Sequence, residues 1–107
     1  MGAHSAQKEK AEYQMREPIT IDQQQLANFA TDSRRKRFLI LHDDKKFHIW
    51  SEEHLAFWRP EGLGYTVDES EAGKWYLDDA WKLTEHCGKE KQIQYVEVLE
   101  SDEGAQP

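Results

Sequence analysis

The middle of the chain, from Ser51 to Gly73, combines aromatic residues with one proline and three glycines. Glycine gives the backbone access to conformations that other residues avoid, and proline cannot continue a central strand. A segment of this composition is predicted to fold into short strands and tight loops beside a small sheet. Its density of aromatic residues further predicts a firm loop platform that contacts another molecule.

The chain length sets the number of domains. With 107 residues the chain can form one small domain, and it is too short for two domains with separate cores. Residues 1–17 are polar and lack apolar periodicity, so they are predicted to form a flexible N-terminal arm. Residues 101–107 form a short acidic C-terminal tail. Residues 18–100 are then predicted to fold as a single domain.

The first half of the predicted domain contains one helix and one β-hairpin. Asp22 can cap the amide of Gln25, and the apolar residues that follow share one face, which predicts a helix over residues 22–31. Residues 37–42 are rich in Phe, Leu and Ile. Two aspartates and two lysines separate them from a second apolar run at residues 47–50, so the two runs are predicted to pair as a hairpin.

The second half of the predicted domain adds strands and a second helix. Residues 56–58 are predicted as a short third strand that ends before Pro60. Residues 78–87 carry apolar side chains at helical spacing, and residues 92–99 alternate as a final strand does. The sequence therefore predicts an α+β domain with the order α-β-β-(β)-α-β. We expect an antiparallel or mixed sheet with helices packed on it and disordered termini.

Charge and cysteine content limit the partners and the compartment. The net charge of −7 argues against a general nucleic-acid binder, because phosphate binding needs a cationic face. The single cysteine, Cys87, cannot form an internal disulfide, and its helical spacing from Ala80 predicts a small core residue rather than a nucleophile. No apolar run approaches the roughly 20 residues of a membrane span. We therefore expect a cytoplasmic protein with no membrane contact.

One basic cluster stands out, formed by Arg34, Arg35, Lys36 and Arg37. It comes directly before the predicted strand at residues 37–42, where positive charge discourages pairing with another sheet. Contact with single-stranded nucleic acid, together with exposed aromatic residues, is the other interpretation. The second interpretation defines an alternative hypothesis, in which the protein is a nucleic-acid accessory protein.

Three histidines raise the question of a metal site. His42, His48 and His54 are residue types that bind zinc or iron, but their spacing matches no metal motif. The predicted hairpin places His42 and His48 on opposite faces. No serine or cysteine lies in a nucleophile motif. The sequence predicts no catalytic residue, metal site or cofactor, and a small metal-dependent enzyme that uses these histidines is kept as a further alternative.

Aromatic residues supply the candidate binding site. Several of the rings between residues 50 and 81 must fill the core, because small domains depend on large rings for buried area. Trp58 and Arg59 lie beside a glycine-rich turn and are predicted to be partly exposed, and such residues carry much of the binding energy at interfaces. Simple packing of a strand end is the other interpretation. The residues expected to contact a protein partner are Trp50, His54, Trp58, Arg59 and Tyr65.

The same segment carries an ordered motif. From Ser51 to Thr66 it reads S-x-E-H-x-A-x-W-x-P-x-x-x-G-Y-T, and from Glu71 to Tyr76 it reads E-A-G-x-x-Y before a predicted helix. This pattern resembles small, mostly uncharacterised proteins of bacteriophages and prophages. The resemblance brings no established catalytic residues. It implies a phage or prophage protein in the bacterial host cell, where small acidic proteins often act by binding another protein.

The leading hypothesis joins the motif with the local charge. Between Glu52 and Glu85 the sequence holds nine acidic and three basic residues, a balance that suits a basic protein partner. We therefore expect a non-enzymatic binding module of phage or prophage type that contacts a protein through its aromatic loop platform. The protein itself is expected to be a monomer or a weak homo-oligomer.

Overall fold

A computed structural model describes residues 16–99. Within this range three α-helices pack with a six-stranded antiparallel sheet, which confirms the predicted α+β class. The predicted acidic tail and most of the predicted N-terminal arm lie outside the described residues. No helix in the described part of the chain is long and apolar enough to cross a membrane.

The secondary structure alternates short strands with short helices. The helices are α1 (Gln23–Ala27), α2 (Asp32–Leu41) and α3 (Leu77–Thr84). The strands are β1 (Thr20–Asp22), β2 (Lys46–Ser51), β3 (Ala56–Trp58), β4 (Tyr65–Thr66), β5 (Trp75–Tyr76) and β6 (Ile93–Glu97). Single turns of 3-10 helix lie at Pro60–Gly62, Glu69–Glu71 and Lys89–Lys91.

Strand β2 is the centre of the sheet. On one side it pairs along its length with β6, and on the other side its two ends pair with β5 and β3. The strand order is β1-β6-β2-β3-β4, with β5 beside the start of β2. The predicted third and final strands correspond to β3 and β6. This topology makes the glycine-rich segment one end of the described sheet.

The core lies on one face of this sheet. The register aligns Ile49 with Tyr95 and Tyr95 with Ile21, so the three side chains project from the same face, and all three are buried. Leu26 of α1 and Leu77 of α3 belong to the same buried cluster. Burial of such apolar side chains is the main force that holds helices onto a sheet.

A buried polar contact ties α3 to β6. The hydroxyl of Thr84 donates to the carbonyl of Ala80 (2.7 Å), which leaves the Tyr95 hydroxyl to donate to Thr84 Oγ1 (2.7 Å). Burial raises the pKa of Tyr95 far above its ordinary value, outweighing the opposing effect of this hydrogen bond. The Tyr95 hydroxyl therefore stays protonated in the folded protein.

The predicted hairpin is wrong. Residues 37–42 form no strand, because all but the last of them belong to α2. The Thr31 side chain accepts a hydrogen bond from the Arg34 amide (3.2 Å) and caps this helix, and Asp32 lies in its first turn, where a negative charge is favourable. A short apolar run cannot be assigned to helix or strand by periodicity alone. The cap and the helix-forming Arg, Lys and Leu residues decide in favour of the helix.

The first predicted helix is shorter than expected. Asp22 caps it as predicted, although its carboxylate accepts from the Gln24 amide (2.9 Å) rather than from Gln25. Helix α1 ends at Ala27, and the chain turns at Asn28, well before residue 31. Because α1 ends early, α2 can begin as a separate helix with its own N-terminal cap.

Gln23 is a structural residue that sequence reasoning did not single out. Its side chain is buried, and its Nε2 donates to the carbonyls of Thr84 (2.8 Å) and Cys87 (3.0 Å). It therefore satisfies carbonyl groups at the C-terminal end of α3. Cys87 packs against the core, as predicted, and burial raises the pKa of its thiol. The predicted helix over residues 78–87 ends at Thr84, so Cys87 lies beyond it and not within it.

Candidate protein-binding surface

Tyr65 is the centre of the predicted platform. It lies directly opposite Trp58 in the β3–β4 pair, and the two rings meet edge to face with centroids 6.4 Å apart. The ring of His54, from the turn before β3, lies 4.3 Å from the ring of Tyr65. Three of the five predicted contact residues are thus brought together.

Trp50 lies apart from this group. It pairs with Phe57, and side chains of paired residues project from the same face of the sheet. Trp58 follows Phe57 and therefore projects from the opposite face. The Trp50 ring meets Phe57 at 4.8 Å, and its Nε1 donates to Glu52 (2.7 Å). The predicted five-residue set does not form one surface.

Arg59 is held by its neighbours. Its Nε donates to the Tyr65 carbonyl (3.1 Å), and its Nη2 forms an ion pair with Glu71 Oε1 (3.2 Å). These contacts join the chain before the glycine-rich turn to the chain after it. Arg59 therefore positions Tyr65 instead of presenting a free cation to a partner.

Trp58 connects the platform to the core. It is half-buried and packs against the core, near Leu83 of α3 and the backbone of Gly62. Gly62 and Gly64 both have positive φ, at 71° and 93°, which lets the chain return from β3 to β4 over the Trp58 ring. The predicted partial exposure of Trp58 is confirmed, but most of the exposed area belongs to its neighbours.

The exposed apolar residues around Tyr65 were missed by sequence reasoning. The exposed fractions are 60% for Leu55, 72% for Leu63, 41% for Tyr65 and 81% for Val67. Val67 follows Tyr65 by two residues and lies directly after the end of β4. Together these four residues and His54 form a surface at the β4 end of the described sheet. We call this surface the edge patch (His54, Leu55, Leu63, Tyr65 and Val67).

Leu55 has an unusual backbone. Its φ of 52° is in the left-handed region, where a side chain with a β-carbon is strained by about 1–2 kcal/mol. Glycine or asparagine is the usual residue in such a position. The Leu55 side chain is mostly exposed, so burial does not offset the strain. Residues kept in strained conformations cluster at functional sites, which makes Leu55 the most informative member of the edge patch.

A hydrogen-bonded loop holds the edge patch from behind. We call residues 68–73 the support loop. Asp68 begins it, because its carboxylate accepts from both the amide (3.0 Å) and the hydroxyl (2.7 Å) of Ser70, and these bonds lower the pKa of Asp68. The hydroxyl of Thr66 donates to Glu71 Oε1 (3.3 Å) and accepts from the Asp68 amide (3.0 Å). Strand β4 is therefore fixed to the support loop.

The support loop is fixed in turn to the sheet. The amide of Gly73 donates to the Trp58 carbonyl (2.9 Å), and the Gly73 carbonyl accepts from Nδ1 of the buried His48 (2.9 Å). Nε2 of His48 lies 3.3 Å from the carboxylate of Glu69. These contacts join β2, β3 and the support loop, so the edge patch rests on a rigid frame.

Negative charge surrounds the edge patch. Glu61, Asp68 and Glu69 are exposed in the loops that flank it. The nearby Arg59 is paired with Glu71, so its charge is already compensated. The edge patch is thus an apolar surface with an acidic border.

The three candidate metal ligands do not converge. His42 packs between Phe38 (4.9 Å) and Phe47 (6.5 Å), His48 contacts the support loop, and His54 lies on Tyr65. Across residues 16–99, no three His, Cys, Asp or Glu side chains are grouped so that they can hold a metal ion. The metal-dependent alternative therefore has no geometric support in the described part of the chain.

The basic cluster lies on α2. The Arg35 side chain is engaged in contacts within the fold. It donates hydrogen bonds to Asp32 (2.7 Å) and to the Leu26 carbonyl (2.8 Å), and its guanidinium lies over the ring of Trp81 (5.2 Å). The other members, Arg34, Lys36 and Arg37, are exposed. One of the four basic side chains that the nucleic-acid hypothesis uses is therefore occupied by internal contacts.

Comparison of the chain with models of known protein families, with curated proteins and with solved structures finds no match. The geometry of the edge patch is therefore the basis for assigning a function.

Proposed function

We propose that this protein is a non-enzymatic binding module whose edge patch takes an apolar, basic segment of a protein partner. The observation that carries the proposal is Leu55, which combines a strained backbone with an exposed apolar side chain directly after His54, whose ring packs on Tyr65. The resemblance of the Ser51 to Tyr76 motif to bacteriophage and prophage proteins supports a phage or prophage origin and action in the bacterial cytoplasm. Both are part of the proposal.

The apolar character of the edge patch supports protein as the partner. Leu55, Leu63 and Val67 expose most of their surface to water, which is unfavourable unless another molecule covers them. Exposed apolar patches rimmed by polar residues often mark protein contact sites. Because the support loop holds the patch in place, little ordering entropy is lost on binding.

The acidic border supports a basic partner. Charge complementarity steers encounter and selects among partners more than it adds to affinity. Attraction between Glu61, Asp68 and Glu69 and a basic segment is screened by salt, since the Debye length is about 10 Å at 0.1 M salt. Binding is therefore expected to weaken as the salt concentration rises.

Leu55→Gly provides the decisive test. Ligands are first selected from a library of displayed random peptides on the wild-type protein. We expect enriched peptides with basic and apolar residues, and Leu55→Gly should weaken their binding by about tenfold, as expected for loss of an interface anchor. Glycine adopts positive φ without strain, so the free energy of unfolding should stay equal or rise by about 0.5 kcal/mol.

The control replaces a leucine of similar exposure outside the patch. Leu41 is 70% exposed at the end of α2, and Leu41→Ser should leave the affinity for the selected peptides unchanged. Peptide affinities measured by fluorescence anisotropy, together with urea unfolding of each variant, complete the experiment. Equal affinity of wild type and Leu55→Gly for every selected peptide would contradict the proposed function.

A further inference from the structure

Helix α2 presents a second exposed surface of opposite charge. None of its residues is buried. Arg34, Lys36 and Arg37 are exposed along its first two turns, and Ile40 and Leu41 are 59% and 70% exposed at its end. In residues 16–99 no carboxylate forms an ion pair with these three cations. We call these five residues the α2 surface.

The arrangement of charged and apolar residues on the α2 surface limits the classes of partner that can bind it. A helix that lies on a membrane carries its charged and apolar residues on opposite faces. In α2 they are separated along the axis, with the cations first and the apolar residues last, so the helix does not suit a lipid surface. Nucleic acid would match the cations but would leave Ile40 and Leu41 uncovered. A protein surface with adjacent acidic and apolar parts matches both halves.

Such a surface is already present on this chain. The edge patch offers exposed leucine, tyrosine and valine side chains with an acidic border, and the α2 surface offers exposed isoleucine and leucine beside three cations that have no ion-pair partner in residues 16–99. We propose that the α2 surface of one copy docks on the edge patch of a second copy. This inference rests on the proposed function, because it assigns a partner to the same edge patch.

The contact joins two different surfaces. Two copies can make it twice in a closed two-fold pair, which is isologous, or successive copies can make it once each in an open heterologous chain. In both arrangements the elementary contact is the same. Weak transient contacts bury a small area and have modest affinity. We therefore expect a dissociation constant of about 100 μM at low salt, rising at least about tenfold in 0.5 M salt.

Two double variants each disable one of the two surfaces that form the contact. In the first, Arg34→Glu and Arg37→Glu reverse the charge of the α2 surface and leave the edge patch intact. Both positions are exposed, and Arg34 lies in the first turn of the helix, where acidic residues are well tolerated. In the second, Leu55→Gly and Val67→Glu disable the edge patch and leave α2 intact. Circular dichroism and urea unfolding verify that both variants fold.

Sedimentation velocity of the full chain at low salt tests the proposal. Wild type is expected to self-associate, each variant alone to remain a monomer, and an equimolar mixture of the two variants to form a one-to-one pair and nothing larger. That mixture retains a single contact, between the α2 surface of one variant and the edge patch of the other. A wild type that stays monomeric up to about 1 mM, or variants that associate as wild type does, would overturn the inference.

The proposed function can be judged separately from this result. If the wild type is monomeric but the selected peptides still bind it in a Leu55-dependent manner, the edge patch serves a different basic partner and only the self-association inference fails. If the peptides do not depend on Leu55, the proposed function fails first.

Discussion

Gly73→Ala is expected to lower the free energy of unfolding by about 2 to 3 kcal/mol, because it forces a methyl group into a packed site. A β-carbon at Gly73 would overlap the far end of the Trp75 indole. That ring packs against the core and cannot move away without displacing other side chains. The Gly73 backbone also joins Trp58 to His48, so its displacement should loosen the support loop.

Gly88→Ala is the matched control. A β-carbon at Gly88 would overlap the carboxylate of Glu90, an exposed and flexible side chain that can rotate away. The free energy of unfolding should therefore change by less than about 0.5 kcal/mol. Urea unfolding of both variants provides the comparison, and a similar small loss in both would show that the support loop tolerates displacement of Trp75.

Arg16→Met is expected to destabilise the protein by about 2 kcal/mol at neutral pH, because it leaves a buried carboxylate with too few partners. The Arg16 guanidinium donates two hydrogen bonds to Glu97 (2.9 and 3.1 Å), and the Ile19 amide adds a third (3.1 Å). Glu97 is 5% exposed and Arg16 is 43% exposed. Because Arg16 is partly exposed to solvent, the loss of stability should be smaller than for a fully buried ion pair.

The pH dependence of this loss identifies its cause. Burial alone would raise the pKa of Glu97, but the hydrogen bonds from Arg16 and Ile19 outweigh burial, so the pKa lies below its ordinary value. The stabilisation is therefore present above the unfolded pKa of about 4.3 and is lost as pH falls through the folded pKa. The difference between wild type and Arg16→Met should shrink at acid pH.

Arg34→Met serves as the control for the removal of an arginine. Arg34 is exposed, and its guanidinium has no ion-pair partner in residues 16–99, so its replacement should change the free energy of unfolding by less than about 0.5 kcal/mol. Denaturant unfolding of the three proteins across the acid range measures the effect. A loss for Arg16→Met that is equally large at acid and neutral pH would exclude the Glu97 carboxylate as its source.

The sequence predicts the second half of the fold better than the first half. Strands β3 and β6 and helix α3 are predicted in the right places, because Pro60, alternating side chains and helical spacing mark them. The end of α3 is not, since the helix stops at Thr84 and Gly88 caps the next turn instead. The run at residues 37–42 gives no such guide. Its apolar residues suit a strand, and the residue that favours a helix, the Thr31 cap, lies six positions before the run begins.

The candidate site is predicted only in part, for a reason of register. His54, Trp58 and Tyr65 come together because a glycine-rich turn brings β4 back beside β3. Trp50 lies on the other face because paired and alternating positions of β2 and β3 set the direction of each side chain. The exposure of Leu55 depends on a left-handed turn, and residue type alone gives no sign of it.

The most direct test of the edge patch as a binding surface is a two-dimensional NMR titration of the full-length wild-type protein with a peptide selected on it. The largest chemical-shift changes should fall on His54, Leu55, Leu63, Tyr65 and Val67. Changes confined to other parts of the chain, with these five residues unaffected, would show that the peptide binds elsewhere and that the edge patch is not the binding surface.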